Sequence, residues 1–124
     1  MVKNINKLYF EKNVYAMTDN GRALVVDEQN FLGSKPVVLQ FYATWCGPCK
    51  MLAPIIEELD GEYDSKIDFY KINIEDEREI SQAFNIQSIP VLVFIPTEGL
   101  PTKSIGAPDK NSLKEAIDSF FFNE

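Results

Sequence analysis

The chain is 124 residues long, 45% of its residues are hydrophobic, and its formal net charge is −7. This length suits one domain that buries well over half of its unfolded surface and needs no metal or disulfide to hold its fold. The acidic balance, with no basic block, argues against nucleic acid and anionic membrane as partners.

Two further features bear on the compartment. No apolar run approaches the length of about 18 residues that a membrane span needs, and residues 1–10 have no signal-type apolar region. The sequence therefore predicts a soluble cytoplasmic protein. A processed periplasmic or secreted form stays open, because one cysteine pair can function in reducing and oxidising surroundings alike.

The first third of the chain carries mixed signals. Residues 1–13 are polar apart from an apolar cluster at 8–10, and we interpret them as an adaptable segment that docks on the domain. Asn20-Gly21 separates two apolar runs and favours the positive φ angles of a tight hairpin turn. Asp27 is placed to cap a short turn that Gly33 ends. This part therefore predicts an N-terminal β-hairpin extension.

From residue 36 onward the apolar pattern is clearer. It predicts strands at 36–42, 67–74, 90–95 and 102–105, and helices at 46–63, 78–84 and 110–121. Asp109 is placed to cap the last helix, whose predicted apolar face consists of Leu113, Ala116, Ile117, Phe120 and Phe121. Helices separate the earlier strands and a tight turn joins the last two. The predicted fold is therefore α/β, with a mixed central sheet and helices on both faces.

Residues 45–50, Trp-Cys-Gly-Pro-Cys-Lys, contain both cysteines of the chain. Two thiols at this spacing can close a small disulfide loop. Cys46 falls at the predicted helix start, where unpaired backbone N–H groups and the positive helix end favour a thiolate. Cys49, one turn further, can attack a mixed disulfide formed at Cys46. The pattern predicts a redox dithiol.

Two other interpretations of the cysteines are weaker. A structural zinc site needs four ligands, whereas the chain has two cysteines and no histidine. If the two cysteines were an inert buried pair, Gly47-Pro48 and Trp45 would lie in the core, where they would pack poorly. These residues suit an exposed turn. We therefore expect no metal and no cofactor.

The Trp45–Lys50 string resembles the redox motif of the thioredoxin family. The resemblance extends from about residue 35 to the end and includes Pro54, Lys71, residues 88–90 (Ser-Ile-Pro) and residues 105–107 (Ile-Gly-Ala). It implies a thioredoxin-like fold in one domain, 1–124, with residues 35–124 as the core and residues 1–34 as a divergent N-terminal part.

The resemblance also implies an activity. The chain would be a thiol–disulfide oxidoreductase that reduces protein disulfides, with Cys46 as nucleophile and Cys49 as resolving cysteine. Its partners would be disulfide-containing proteins and a thioredoxin reductase or membrane thiol donor, and it would act as a monomer. Gly47-Pro48 resembles the reducing members. An oxidant or isomerase, and a non-catalytic peptide-binding or chaperone module, remain the alternatives.

Several residues match the family's substrate groove. Beside Gly47 and Pro48 of the motif, the matching residues are Trp45, Ile74, Ile89, Pro90, Ile105, Gly106 and Ala107. Family members hold the proline equivalent to Pro90 in cis, and an ordinary strand start is the alternative. For Ile74 and Ile105 the alternative is plain core.

Two departures from the family are visible. Only residues 27–35 stand where the family has its first full helix, so we expect a rearranged N-terminal third. Gln40 occupies the place of a buried aspartate to which proton relay is attributed, and an amide cannot relay protons. Gln40 and Lys71 are therefore predicted to tune the redox behaviour. Alternatively, Gln40 is a neutral core residue hydrogen-bonded to backbone or to Lys71.

Overall fold

The computed structural model describes residues 1–16 and 26–122. Every element predicted from residue 36 onward is present. In chain order the elements are strand β1 (Lys3–Asn4), helix α1 (Lys7–Asn13), a 3₁₀ helix (Glu28–Asn30), β2 (Val37–Tyr42), α2 (Gly47–Glu62), β3 (Asp68–Asn73), α3 (Arg78–Ala83), β4 (Val91–Ile95), β5 (Thr102–Ile105) and α4 (Lys110–Phe122).

The strands form one mixed sheet in the order β1-β3-β2-β4-β5. β3 runs parallel to both β1 and β2, whereas β4 is antiparallel to β2 and β5 is antiparallel to β4. In this register β2 and β3 end, and β4 begins, at the same end of the sheet. Phe41 is paired with Val91 there, and Val91 is paired with Ile105. The chain segments that follow β2, β3 and β5 are thereby brought together.

Helices cover both faces of the sheet, as predicted. On one face, Phe10 of α1 and Ile80 of α3 pack in a buried cluster with Leu39 of β2. On the other face, Leu52 of α2 and Leu113 of α4 belong to a second buried cluster. Since strand residues alternate between the two faces, β2 is apolar on both and contributes to both clusters.

The N-terminal segment is more regular than the sequence indicated. Asn6 caps α1 by accepting a hydrogen bond from Tyr9 N at 2.9 Å, and Phe10 is fully buried against Phe84. The predicted docking of this segment therefore occurs. Residues 27–35 contain only the 3₁₀ helix, and the α-helix that precedes β2 lies earlier, at Lys7–Asn13.

The connection from α1 to β2 is only partly described. The predicted hairpin turn at Asn20-Gly21 lies outside the described residues. Tyr15 forms an isolated antiparallel bridge with Phe31, and Asp27 caps the 3₁₀ helix by accepting from Gln29 N at 3.0 Å. The predicted cap at Asp27 is thus confirmed, although its 3₁₀ helix ends at Asn30.

The last helix follows the predicted pattern with one exception. Asp109 accepts a hydrogen bond from Ser112 N at 2.7 Å, and Leu113 and Ile117 are buried. Ala116 was predicted on the same apolar face but is exposed. It lies about 60° around the helix from Leu113, so it falls at the margin of the contact with the sheet.

Candidate active site

The start of α2 is shaped by its own sequence. Cys46 is the N-cap, Pro48 lies in the first turn, and Cys49 N donates to Cys46 Sγ at 3.2 Å. Proline fits here because the first helical N–H groups have no carbonyl partner within the helix. One of these orphan N–H groups therefore points at a sulfur atom, which places the positive end of the helix beside Cys46.

The two cysteines are joined in a disulfide, with their Cα atoms 5.3 Å apart. Cys46 is 5% exposed and Cys49 is 3% exposed, so exposure of the whole residue does not separate them. Their difference is positional: Cys46 precedes the helix, whereas Cys49 lies within its first turn. The pair can exist as a closed disulfide loop, and its reduction would release two thiols at the same place.

Apolar side chains from three segments surround the disulfide. Ile74, after β3, and Ile89, before β4, pack against the buried cluster of Ala43, Cys46 and Cys49, while Trp45 is 66% exposed. The Ile89-Pro90 peptide bond is cis, as the resemblance implied, and Pro90 is buried. The structure thus brings the predicted groove residues of these segments to the two sulfur atoms.

The remaining predicted groove residues follow β5. Ile105 is 73% exposed, so the alternative that it belongs to the core is wrong, whereas Ile74 is half-buried. Gly106 has φ +100°, a conformation that favours glycine, and its N–H donates to Pro90 O at 3.0 Å. Ala107, the next residue, is exposed.

A cavity of about 280 Å³ lies on the α2 side of the sheet, with Cys49 in its wall. Gln40 and Lys71 also line it, and the two residues are paired in register between β2 and β3. Gln40 is 2% exposed. Among the described residues, its side-chain amide forms no hydrogen bond with Lys71 or with a backbone group. Gln40 is therefore a buried polar residue that faces the same cavity as Cys49.

The sequence did not indicate that the N-terminal strand contacts a residue that lines this cavity. Tyr42, which also lines it, donates its hydroxyl hydrogen to Asn4 Oδ1 at 3.1 Å. Burial, and secondarily the negative charge of Asp76, raises the pKa of the Tyr42 hydroxyl above its ordinary value. No local pattern around Asn4 could have indicated this contact, because its partner is 38 residues away.

Comparison with known proteins identifies the family. The thioredoxin family model matches residues 22–119. A thioredoxin of Borreliella burgdorferi is 45% identical over 94 residues, which cover 76% of this chain and 80% of that protein. A thioredoxin of Staphylococcus haemolyticus is 38% identical over 96 residues, covering 75% and 92%.

The chain belongs to the thioredoxin family. A chloroplastic thioredoxin M-type of Spinacia oleracea is also similar, at 41% identity over 85 residues, which cover 68% of this chain and 47% of that protein. Both β1 and α1 lie before residue 22, where the match to the family model begins.

Family membership and the bonded cysteine pair together establish the chemistry. The protein is a thiol–disulfide oxidoreductase that acts on protein disulfides through Cys46 and Cys49. Neither the oxidant or isomerase nor the non-catalytic binding module is favoured by these findings. Within residues 1–16 and 26–122, no helix is both long and apolar enough to cross a membrane. In the same residues, no group of three or more His, Cys, Asp or Glu side chains could hold a metal ion.

Proposed function

We propose that the protein works in the reducing direction, with Cys46 as the attacking cysteine and Cys49 as the resolving one. The observation that carries the roles of the two cysteines is the hydrogen bond from Cys49 N to Cys46 Sγ at 3.2 Å. The reducing direction is supported by Gly47-Pro48, which resembles the reducing members. A backbone N–H aimed at sulfur stabilises a thiolate on Cys46, and the same interaction makes Cys46 a good leaving group when Cys49 attacks.

The proposed cycle balances in two steps. The Cys46 thiolate attacks one sulfur of a substrate disulfide, that bond breaks, and the other substrate sulfur leaves and takes up a proton. Cys49, deprotonated, then attacks Cys46 Sγ and forms the Cys46–Cys49 disulfide, and the second substrate sulfur leaves as a thiol. The substrate gains two electrons and two protons, and an external dithiol must return them to the protein.

The exposed surface beside Cys46 supports extended protein segments as substrates. Trp45 and Ile105 offer apolar area, and Ile74 and Ile89 flank the sulfurs. We assign the groove to these residues together with Pro90, Gly106 and Ala107, while Gly47 and Pro48 shape the turn between the cysteines. Such a surface takes unfolded or flexible chain with little demand on sequence.

Gln40 and Lys71 are proposed to tune Cys49 from the cavity side. An aspartate at position 40 could accept and return the Cys49 proton, whereas the Gln40 amide does not titrate. The Lys71 ammonium then has no carboxylate partner at position 40, and its charge favours a thiolate on Cys49. We expect protons to reach Cys49 through water in the cavity.

The proposal extends to the electron donor, the compartment and the assembly. The Gly47-Pro48 pair resembles the reducing members, which supports a thioredoxin reductase or a membrane thiol donor as the electron source. We propose a cytoplasmic monomer whose parts 1–34 and 35–124 act as one domain. The buried packing of Phe10 with Leu39 supports this last point, because it joins the two parts in one cluster.

The roles of the two cysteines can be tested directly. Iodoacetamide at neutral pH should alkylate Cys46 first in the reduced protein, as read by peptide mapping. Cys49→Ser should trap a mixed disulfide with insulin, and Cys46→Ser should trap none. Modification of Cys49 first, or trapping by Cys46→Ser alone, would reverse the roles. Failure of the wild-type protein to accelerate insulin reduction by dithiothreitol would remove the proposed function altogether.

A further inference from the structure

A small polar pocket continues the groove beyond Ile105. It has a volume of about 110 Å³ and lies between β5 and the segment that precedes Pro90. Asn85, Gln87, Ser88 and Lys103 line it, and we call these four residues the amide pocket. Ile105 lines the same pocket, and Ser88 is bonded directly to Ile89. A peptide segment in the groove would therefore have side chains within reach of the amide pocket.

The charge of the amide pocket is positive. Lys103 is the only charged residue in its lining, and Lys103 Nζ donates to Asn85 O at 3.2 Å. An ammonium has three N–H donors, so this bond holds the charge at the pocket and leaves donors free. Among the described residues Lys103 forms no salt bridge, in contrast to Lys110, which pairs with Glu58 at 3.2 Å. No carboxylate within residues 1–16 and 26–122 forms an ion pair with the positive charge at the pocket.

Neutral hydrogen-bonding groups lie beside Lys103 in the pocket, and the apolar side chains of Ile86, Val91 and Ile105 form the rest of its lining. Gln87 Nε2 lies 3.4 Å from Asn85 Oδ1, and Ser88 adds an exposed hydroxyl. Amide N–H and hydroxyl groups can donate to an oxygen anion, and an anion also attracts the ammonium. The volume is that of roughly three to four water molecules. It suits a carboxyl group with its adjoining methylene group rather than a separate large ligand.

We infer that the amide pocket binds the carboxylate of an Asp or Glu side chain in the substrate segment that occupies the groove. This inference rests on the proposed function, because it assigns a sequence preference to the same groove. The preference should apply to one position near the substrate cysteine, since the pocket adjoins the groove at one place. Lys103 would be its specificity-determining residue.

The overall charge of the protein makes this preference distinctive. At a net charge of −7, the long-range field disfavours a substrate that carries an additional negative charge. Without a local site, replacing Gln by Glu at any position of a substrate should therefore slow its capture. Faster capture of the Glu peptide at one position would be the opposite of this long-range effect, and it would require a local positive charge.

The test uses disulfide-linked peptide pairs with the reduced full-length protein. A single Glu is moved one position at a time along the residues that flank the reacting cysteine, and each peptide is compared with its Gln twin. At one position kcat/KM should be about 2- to 5-fold higher for Glu, the range of exposed ion pairs. The difference should lie in KM and should shrink at high salt.

Three variants then assign the preference to Lys103. Lys103→Gln should bring the Glu-to-Gln ratio to one or below, Lys103→Arg should keep it, and Lys103→Glu should favour a Lys-substituted peptide. Lys66→Gln is the control. It removes the same charge from an exposed residue just before β3, at the opposite end of the sheet from the disulfide, and should leave the Glu-to-Gln ratio unchanged.

The outcomes distinguish a failure of the amide pocket from a failure of the proposed function. Equal reduction of every Glu and Gln pair, or a preference that survives Lys103→Gln, would overturn the amide pocket while leaving the disulfide-reductase function in place. Failure to reduce any of the peptides, together with failure to reduce insulin, would instead remove the function on which the inference rests.

Discussion

The two ends of α2 contain very different interactions. At its start, Cys46 and Cys49 form the disulfide beside a cavity and the exposed Trp45. At its end, Glu58 and Glu62 form salt bridges with lysines of α4, including Lys114 Nζ to Glu62 Oε1 at 2.9 Å and Lys110 to both glutamates. Tyr63, which follows α2, donates its hydroxyl hydrogen to Asp118 of α4. The last turn of α2 thus forms ion pairs with another helix, whereas the first turn forms a hydrogen bond with its own N-cap residue, Cys46.

This difference shows how one helix serves two purposes. At its end, buried packing holds the helix on the sheet, and ion pairs join it to α4. Its start, by contrast, has exposed apolar surface and a cavity. These features favour contact with substrate, and they reduce the stability of the folded protein. Substitutions in the second half should change stability with little effect on chemistry, and substitutions around the cavity should change chemistry.

Leu59→Ala should give the largest stability change of the substitutions considered. Leu59 is fully buried among the α2 and α4 residues, and its truncation should lower the free energy of unfolding by about 2–5 kcal/mol. Urea denaturation measures the loss, and the insulin reduction rate per folded molecule should stay near the wild-type value.

The matched control for Leu59→Ala lies in the first half of the same helix. Met51 is 73% exposed, and Met51→Ala should change the free energy of unfolding by no more than about 0.5 kcal/mol. A fall in reduction rate per folded Leu59→Ala molecule would show that the two ends of α2 are coupled.

Gln40→Asp should change the chemistry at the start of α2. Burial raises the pKa of a carboxyl group, so the folded protein would bind its proton more tightly than the unfolded chain. Stability would then decrease as the pH rises through the raised pKa, by about 1.4 kcal/mol for each unit of the rise. The pH–rate profile of disulfide reduction should gain a titration above the ordinary carboxyl value.

The control for this variant is Gln40→Asn, which has the same size as the aspartate variant and cannot titrate. It should keep the wild-type shape of the pH–rate profile. If Gln40→Asp also keeps that shape and the wild-type stability, residue 40 does not influence Cys49, and the proposed tuning is wrong.

Glu62→Gln should have the smallest effect, at the other end of the helix. Hydrogen bonds from Lys110 and then Lys114 lower the pKa of Glu62 to about 2 from its ordinary value of 4.5. A lowered folded pKa contributes stability above pH 4.5 that is lost as the pH falls towards 2. Glu62→Gln should therefore flatten the fall of the urea midpoint in this acid range, and most clearly at low salt.

Glu115→Gln is the control, because Glu115 is exposed on α4 and forms no salt bridge with the described residues. It should leave the acid dependence of the urea midpoint as in the wild type. An equal flattening by both variants would mean that net charge, and not the ion pairs of α2 with α4, sets the acid dependence.

Much of the site was predictable because its determinants are local. The helix start at residues 46–49 follows from a cap and a proline that are adjacent in sequence, and β2, β3 and β4 follow from their apolar patterns. The short α1 was missed because its signals are weak: one cap at Asn6 and one buried side chain, Phe10, in a polar stretch.

The sequence by itself determined the redox dithiol, the family and the order of elements from residue 36 onward. Only the tertiary structure decided that Ile105 is exposed while Ile74 is half-buried, and that Gln40 shares a cavity with Cys49. Apolar periodicity reports which residues favour burial, but it carries no information about which distant segments meet them. Ile105 ends β5, an edge strand of the sheet that the described residues form, whereas Gln40 lies on a central strand beneath α2, so strand order decided their environments.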